Sequence, residues 1–251
     1  MGHNLSRPAT IAIDGTAASG KSTVGACLAQ SLGYLYFDTG VMYRAVTWAV
    51  LDRHIAVNDE EQVSAVAETL TIEVRSGGSA DGSADGSADG SANGSADGRQ
   101  YTVLADGQDI TWLIRTPPVD AHVSRVSSYP RVRTALTRQQ RRIARAGSIV
   151  MVGRDIGTVV LPEAQLKIFL MASPQVRAQR RYQEAVGQGQ SADYDKILAA
   201  IIERDQQDRT NPVSPMVPAA DAIIIETDGL SIEAVVARLE ELVSQVKHGA
   251  V

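Results

Sequence analysis

The chain has a single cysteine, Cys27, so no internal disulfide framework is possible, and a lone thiol fits a reducing cytoplasm. Cys27 is expected to pack as a small apolar group on a helix. No apolar run approaches the roughly 20 residues needed to span a bilayer. The start, MGHNLSRPATIAIDG, carries no long apolar stretch of the secretory kind; its first apolar run is short and reads as a strand. Excess positive charge is missing as well, since the formal net charge is −5, which argues against a general nucleic-acid coat. These absences point to a cytoplasmic chain with neither a membrane nor a nucleic acid as partner. What remains is an ordinary composition, 251 residues of which 44% are hydrophobic and 21% charged, enough for one large domain or a core with smaller excursions.

Within that acidic whole, arginine greatly outnumbers lysine, and many arginines fall between Arg125 and Arg154. GC-rich coding would produce the same bias. So would a need for the planar fork of arginine, which grips phosphate with two parallel bonds.

ATIAID is a short apolar run leading into GTAASGKST, and VGACLAQSLG then has helical periodicity and a glycine stop. YLYFD reads as a second strand, TGVMYRAVTWAVLDR as a helix, and EEQVSAVAETL as another. TIEVR and YTVLAD are strand-like, and GQDITWLIR reads as a turn into a third short strand. Between the first two of these lies SGGSADGSADGSADGSANGSADG, a four-residue repeat with no large apolar side chain to offset the entropy of ordering; a mobile, solvated hairpin loop is expected over 76–98. Its aspartates lack the spacing of an EF-hand or of a calcium β-roll. Helix returns from PPVDAHVSRV, broken at Pro130. SIVMVGRD and AQLKIFLMA are buried strands, SPQVRAQRRYQEAVGQGQ and YDKILAAIIERDQQDR helices, DAIIIETDG a further strand, and SIEAVVARLEELVSQV an amphipathic helix capped by Ser231. Strands alternating with helices imply an α/β core, a parallel five-stranded sheet with helices on both faces.

Gly15, Gly20, Lys21 and Ser22 match G-x-x-x-x-G-K-[ST] with a strand before and a helix after. In such a loop the backbone N–H groups of Gly15, Thr16, Ala17, Ala18, Ser19, Gly20, Lys21, Ser22 and Thr23 turn inward around phosphates. Lys21 bridges the outer phosphates, and the Ser22 hydroxyl ligates Mg2+. The motif points to ATP or another nucleoside triphosphate with magnesium. It does not separate kinase from GTPase or ATPase. No guanine-reading N-K-x-D follows in the later strands, and Gly153 stands where an ATPase-type acid would, with Asp155 two residues on.

FDTGVMYR is more telling. In a doubly wound sheet, ligands gather at the carboxyl ends of the strands, and the second strand ends at Asp38-Thr39-Gly40. Tyr43 and Arg44 follow on the first turns of a helix. A kinase needs an acceptor site with a cation to hold an anionic acceptor in line; Arg44 suits that task, and Thr39 can hydrogen-bond an acceptor edge. A helix cap at Thr39 and a surface arginine would be the plain alternative. Further charge lies at Arg131 and Arg133, at Arg154 and Asp155, at Arg204 and Asp208 one helical turn apart, and at Arg177, Arg180 and Arg181, spaced i, i+3 and i+4 on one helix face. Several such sets on one phosphate-loop core read as clamps on two facing phosphates.

Taken together, IAIDGTAASGKST, FDTGVMYRA, YPRVR, GRDIGTVVLPEAQLKIFL, RAQRR, ERDQQDR and VPAADAIIIETDGLSIEAV resemble bacterial cytidylate kinase, in the right order from Thr10 to Leu242. The resemblance implies a P-loop core over 1–38 and 116–251, with a helical lid at about 173–190. It also implies a nucleoside-monophosphate-binding excursion over 39–115 with three short strands, interrupted by the repeat. It implies transfer of the ATP γ-phosphoryl to CMP or dCMP by a monomer, with Mg2+. Carried over by position, Gly15 through Thr23 wrap the ATP phosphates, and Thr39 and Arg44, with Tyr43 beside them, hold the monophosphate. Arg133 and Asp155 contact the pyrimidine nucleotide, Ser124, Arg204 and Asp208 lie near the pentose, and Arg177, Arg180 and Arg181 close over the triphosphate. One position departs: the family has an arginine three residues after Asp208, and here it is Asn211. Either Arg209 substitutes from nearby, or the monophosphate is held less tightly.

Overall fold

Strand β1 (Thr10–Gly15) is buried from Ile11 onward, as a strand must be when both faces of a parallel sheet are covered. In this computed structural model, which describes residues 9–76, 101–145, 147–211 and 214–247, β1 is the centre of a five-stranded sheet. Strand β6 (Ile149–Gly153) lies on one side of it, with β2 (Leu35–Asp38) beyond; β7 (Leu166–Met171) lies on the other, with β8 (Ile223–Glu226) beyond, and every pairing is parallel. The register sets Ile13 between Val152 and Ile168, and Asp14 between Gly153 and Phe169.

Alternation decides which side chains meet. Ile11 and Ile13, with Val150, Val152, Ile168 and Leu170, face Val24 and Leu28 of α1 (Lys21–Leu32) and Val235, Leu239 and Leu242 of α8 (Ile232–Lys247) in one apolar cluster. Each fully buried aliphatic side chain of this kind contributes about 1.5–3 kcal/mol, so the cluster anchors both helices to the sheet. Helix α1 ends where Gly33 takes a left-handed φ of 68°, letting the Tyr34 N–H bond back to the Ala29 carbonyl. Helix α8 starts with the Ser231 hydroxyl accepting from the Ala234 N–H at 3.2 Å, the cap expected from its sequence. The chain leaves β1 toward β2 and leaves β7 toward β8, in opposite directions, so the sheet's switch point lies between the carboxyl ends of β1 and β7. The phosphate-loop motif follows β1, and the arginine-rich helix α6 (Pro174–Gly187) follows β7.

Two compact units divide the chain, the first comprising 1–38 and 141–251 and the second 39–140. The second contains α2 (Gly40–Asp52), α3 (Glu60–Thr69), an antiparallel sheet of β3 (Ile72–Ser76), β4 (Tyr101–Ala105) and β5 (Gln108–Asp109), then α4 (Pro117–Ser127) and most of α5 (Pro130–Ala144). Helix α2 buries Met42, Ala45, Val46, Ala49 and Val50. The unit extends past residue 115 because α4 and α5 are tied into it. Arg131 on α5 makes a two-pronged pair with Glu68 on α3, and the Gln139 amide bridges the Leu70 carbonyl and the Ile72 N–H.

The third strand is shorter than its sequence suggests. Only Gln108 and Asp109 pair with β4; the Thr111 N–H then turns onto the Asp109 carboxylate, and the Thr111 hydroxyl takes the Val103 N–H. These bonds replace the ladder, and Leu113–Arg115 continues as one 3-10 turn. The repeat, from residue 77 on, lies outside the described residues. No helix among the described residues is long and apolar enough to cross a membrane.

Candidate functional site

The loop after β1 is built by close approach. At Gly15 an added Cβ would stand 2.3 Å from the Leu170 carbonyl oxygen and 3.2 Å from the Ser19 hydroxyl, so only glycine lets β1 run this near β7. The chain then enters α1, whose first N–H groups carry no capping side chain. A helix N-terminus without a capping side chain is an anion seat. A cleft of about 600 Å³ opens there, lined by Ser19, Gly20, Lys21, Ser22, Thr23 and both Arg180 and Arg181, with Leu230, Ile232 and Val235 as its apolar wall.

Lys21 donates to the Thr16 carbonyl at 2.9 Å. Burial of its ammonium, reinforced by the Arg154 charge, lowers its pKa from 10.5 to about 8, against the pull of Asp38, Asp208 and Asp14. Ser22 donates from its hydroxyl to Asp38 Oδ2 at 2.9 Å. A hydroxyl and a carboxylate side by side at the mouth of a phosphate loop are hard oxygen ligands of the type Mg2+ takes when phosphate and water complete its shell.

Asp14, just before the loop, was not singled out by sequence reasoning. Its side chain is buried, and its two carboxylate oxygens accept the Ile156 and Gly157 N–H groups, each at 2.7 Å. Burial pushes its pKa up from 3.8 to about 6; the two N–H bonds oppose the rise, Asp155 adds to it, and Lys21 draws it back. Those N–H groups open a one-turn π-helix, Ile156–Val160, that follows β6 and is headed by Asp155. Asp155 is itself buried, and its carboxylate accepts a short hydrogen bond from the Ser214 hydroxyl. Asn211 stands behind this contact: its Oδ1 accepts the Ser214 N–H at 3.1 Å. The residue that departs from the family pattern is therefore engaged with Ser214 beyond α7 (Tyr194–Arg209), while Arg209 is exposed at the end of that helix. Arg154 Nε lies 2.8 Å from Asp208 Oδ2 without the alignment of a hydrogen bond, a contact of charges. Arg204, one turn before Asp208 on α7, is half-buried.

The three arginines of α6 do not share one environment. Arg177 is 1% exposed, with its fork on the Asp205 carboxylate of α7, its Nε on the Ala172 carbonyl and its Nη1 also 3.2 Å from the Ala17 carbonyl of the phosphate loop. It is occupied by protein acceptors, and its position is that of a brace rather than a mobile cation. Arg180 donates to the Thr227 carbonyl at 2.9 Å and lies 3.3 Å from the Ser19 carbonyl. Arg181 is exposed and lines the cleft. The i, i+3, i+4 spacing placed all three on one face, and depth separates them.

In the second unit, Thr39 is buried at the head of α2 and makes no side-chain capping bond there. Arg133 on α5 lies over the Tyr43 ring, 5.4 Å from its centroid, and donates to the Ser127 carbonyl at 3.3 Å. Arg44 donates to the Ile114 carbonyl at 3.0 Å and pairs with Asp120 of α4 at 2.6 Å. Ser124 is exposed on α4. The unit thus groups Tyr43 with Arg133, and Arg44 with Asp120. Asp120 is a neighbour that sequence reasoning missed because the pair spans two helices.

A family model described as cytidylate kinase matches residues 11–245. Among curated proteins, the cytidylate kinase of Herpetosiphon aurantiacus is 47% identical over 235 residues, covering 94% of each chain. That of Chloroflexus aggregans is 50% identical over 224 residues, covering 89% of each. That of Roseiflexus castenholzii is 48% identical, covering 93% of this chain and 92% of its own.

Proposed function

The chain belongs to the cytidylate kinase family, and from that membership we propose that it transfers the γ-phosphoryl group of ATP to CMP or dCMP, giving ADP and CDP or dCDP. The observation that carries this reading is the family match across residues 11–245, because a phosphate loop alone suits many users of nucleoside triphosphates.

The donor side rests on the loop from Gly15 to Thr23. Its N–H groups and the open end of α1 would receive the ATP phosphates, and Lys21 would exchange the Thr16 carbonyl for phosphate oxygens. Arg180 and Arg181, on the wall of the cleft, supply positive charge where the transferring group becomes most negative. Arg177 acts one step back: its grip on Asp205 and on the Ala17 carbonyl holds the lid helix and the loop in shape. Ser22 and Asp38 would hold Mg2+, which would supply charge neutralisation to the phosphates. The acceptor side rests on Thr39, Tyr43, Arg44, Ser124 and Arg133. Arg44 would leave Asp120 for the acceptor phosphate, and Asp155, Arg204 and Asp208 would contact the base and pentose.

The acceptor oxygen is already anionic, so the reaction needs no strong general base. Positioning and charge neutralisation supply most of the acceleration. Closure of the arginine-rich helix would also exclude water, the competing acceptor. The reading carries with it a monomer working in the cytoplasm, and sedimentation velocity on the purified chain tests the first part. The activity is tested with ATP, Mg2+ and a panel of CMP, dCMP, UMP, AMP and shikimate, following ADP release. Turnover is expected with CMP and dCMP; preferential turnover of any other acceptor would overturn the assignment.

A further inference from the structure

We propose that Asp14 is a positioning residue for Asp155: from the root of the phosphate loop, its carboxylate holds two consecutive N–H groups of the turn that presents Asp155. The inference rests on the assignment of Asp155 to the acceptor nucleotide.

The geometry is unusual for a strand residue. Asp14 points to the face of β1 opposite the apolar cluster, where an unpartnered carboxylate would carry a heavy desolvation cost. It is instead saturated on one side by the Ile156 and Gly157 N–H groups, both at 2.7 Å. These are the two residues directly after Asp155, so the carboxylate fixes where the Asp155 backbone leaves β6. The turn has no slack at this point. A Cβ added to Gly157 would stand 3.4 Å from Asp14 Oδ2 and 3.3 Å from Lys167 Cδ, so the peptide is held between a carboxylate and an aliphatic stem. Lys167 is in turn fixed, its ammonium paired with Asp221 at 2.8 Å. A second hold comes from the other direction, where the Ser214 hydroxyl bonds the Asp155 side chain. Backbone and side chain of one residue are thus pinned by separate partners. Side-chain capping of the turn could have come from Asp155 itself, but Asp155 makes no such bond. Its carboxylate is engaged by Ser214 instead, and Asp14 does the capping.

A carboxylate with this duty should act on one substrate more than the other, since the ATP loop has its own bracing through Arg177 and Arg180. Asp14→Asn keeps the shape and replaces one acceptor oxygen by an N–H donor facing another donor. The expected result is a KM for CMP raised about tenfold, as for a group displaced by less than an ångström, with ATP affinity, read by calorimetry with a non-hydrolysable analogue, changed far less. In an Asp155→Ala background the same substitution should add nothing further to the KM for CMP. The inference is overturned if CMP and ATP affinities fall together in step with the melting temperature, if Asp14→Asn matches the wild type, or if its effect persists undiminished in the Asp155→Ala background. Should Asp14→Asn fail to fold, Gly157→Ala presses on the same contact and should show the same CMP-selective loss; an equal loss for ATP would overturn the inference. If Asp155→Ala alone leaves the KM for CMP unchanged, the assignment of Asp155 fails first and takes the inference with it.

Discussion

Burial holds the Lys21 ammonium down to about 8, and this has a direct kinetic consequence. As pH rises through 8 the free enzyme loses a charge that the proposed mechanism sets against the triphosphate, so on that reading kcat/KM for ATP should fall on the alkaline side. Bound ATP would favour the charged form, so the limb in kcat should lie at higher pH; pH profiles of the two parameters check this. Asp14 works in the opposite sense. Its folded pKa, about 6, lies above its unfolded value of 3.8, so the folded state binds the extra proton between those limits, and stability falls as pH rises through that window. At about 1.4 kcal/mol per pKa unit, the loss is on the order of 3 kcal/mol. Urea unfolding from pH 4 to 8 should show this slope in the wild type and not in Asp14→Asn. The Arg44–Asp120 pair is half-open to solvent and worth no more than about 1 kcal/mol. Asp120→Ala should therefore lower the KM for CMP by a few fold, and Arg44→Ala should raise it much further. The phosphate loop was legible because its residues are contiguous. Asp14 was not, because its partners lie 142 and 143 residues away and no local pattern marks them.

Helices α6 and α7 are joined by a pair that sequence spacing read differently. The stripe of Arg177, Arg180 and Arg181 was correct as a helix face, yet the spacing carries no information about depth. Arg177 proved to be the buried end of the stripe, set against Asp205. Removing one partner leaves the other as a buried charge, at a cost of roughly 3–5 kcal/mol. Asp205→Ala is expected to lower the melting temperature sharply and ATP affinity with it, since the Ala17 carbonyl loses its fixed donor. Replacing both by apolar residues of similar volume should restore much of the thermal stability, read by calorimetry, without restoring ATP affinity. The elements themselves were largely legible: the five strands of the main sheet and the break at Pro130 follow from periodicity and proline chemistry. The two-residue strand β5 was not, because Thr111 and Asp109 leave the ladder through side-chain bonds that no hydrophobic pattern reports.

At the scale of the whole molecule, the sheet's central strand is followed by the phosphate loop, and the helices proposed to seat the acceptor begin one strand later, so on that proposal the order of function follows the order of the chain. The repeat interrupts this order between β3 and β4, whose pairing sets Ser76 opposite Tyr101 and Val74 opposite Val103. Deleting Ser79 to Gly98 would leave Gly77, Gly78, Arg99 and Gln100 to close the hairpin, a length that β-turns commonly bridge. Turnover should be nearly unchanged, and the melting temperature unchanged or slightly higher, because a shorter loop costs less entropy to close. A large loss in either would give the insert a structural duty. Strands β3 and β4 pair in one register from Ile72–Ala105 to Ser76–Tyr101, and Gln139 ties the start of β3 to α5. Copying errors that add or drop whole SADG units would then pass unseen by selection on catalysis, and clones of the same lineage should differ in length at this one site while the remainder of the reading frame stays constant.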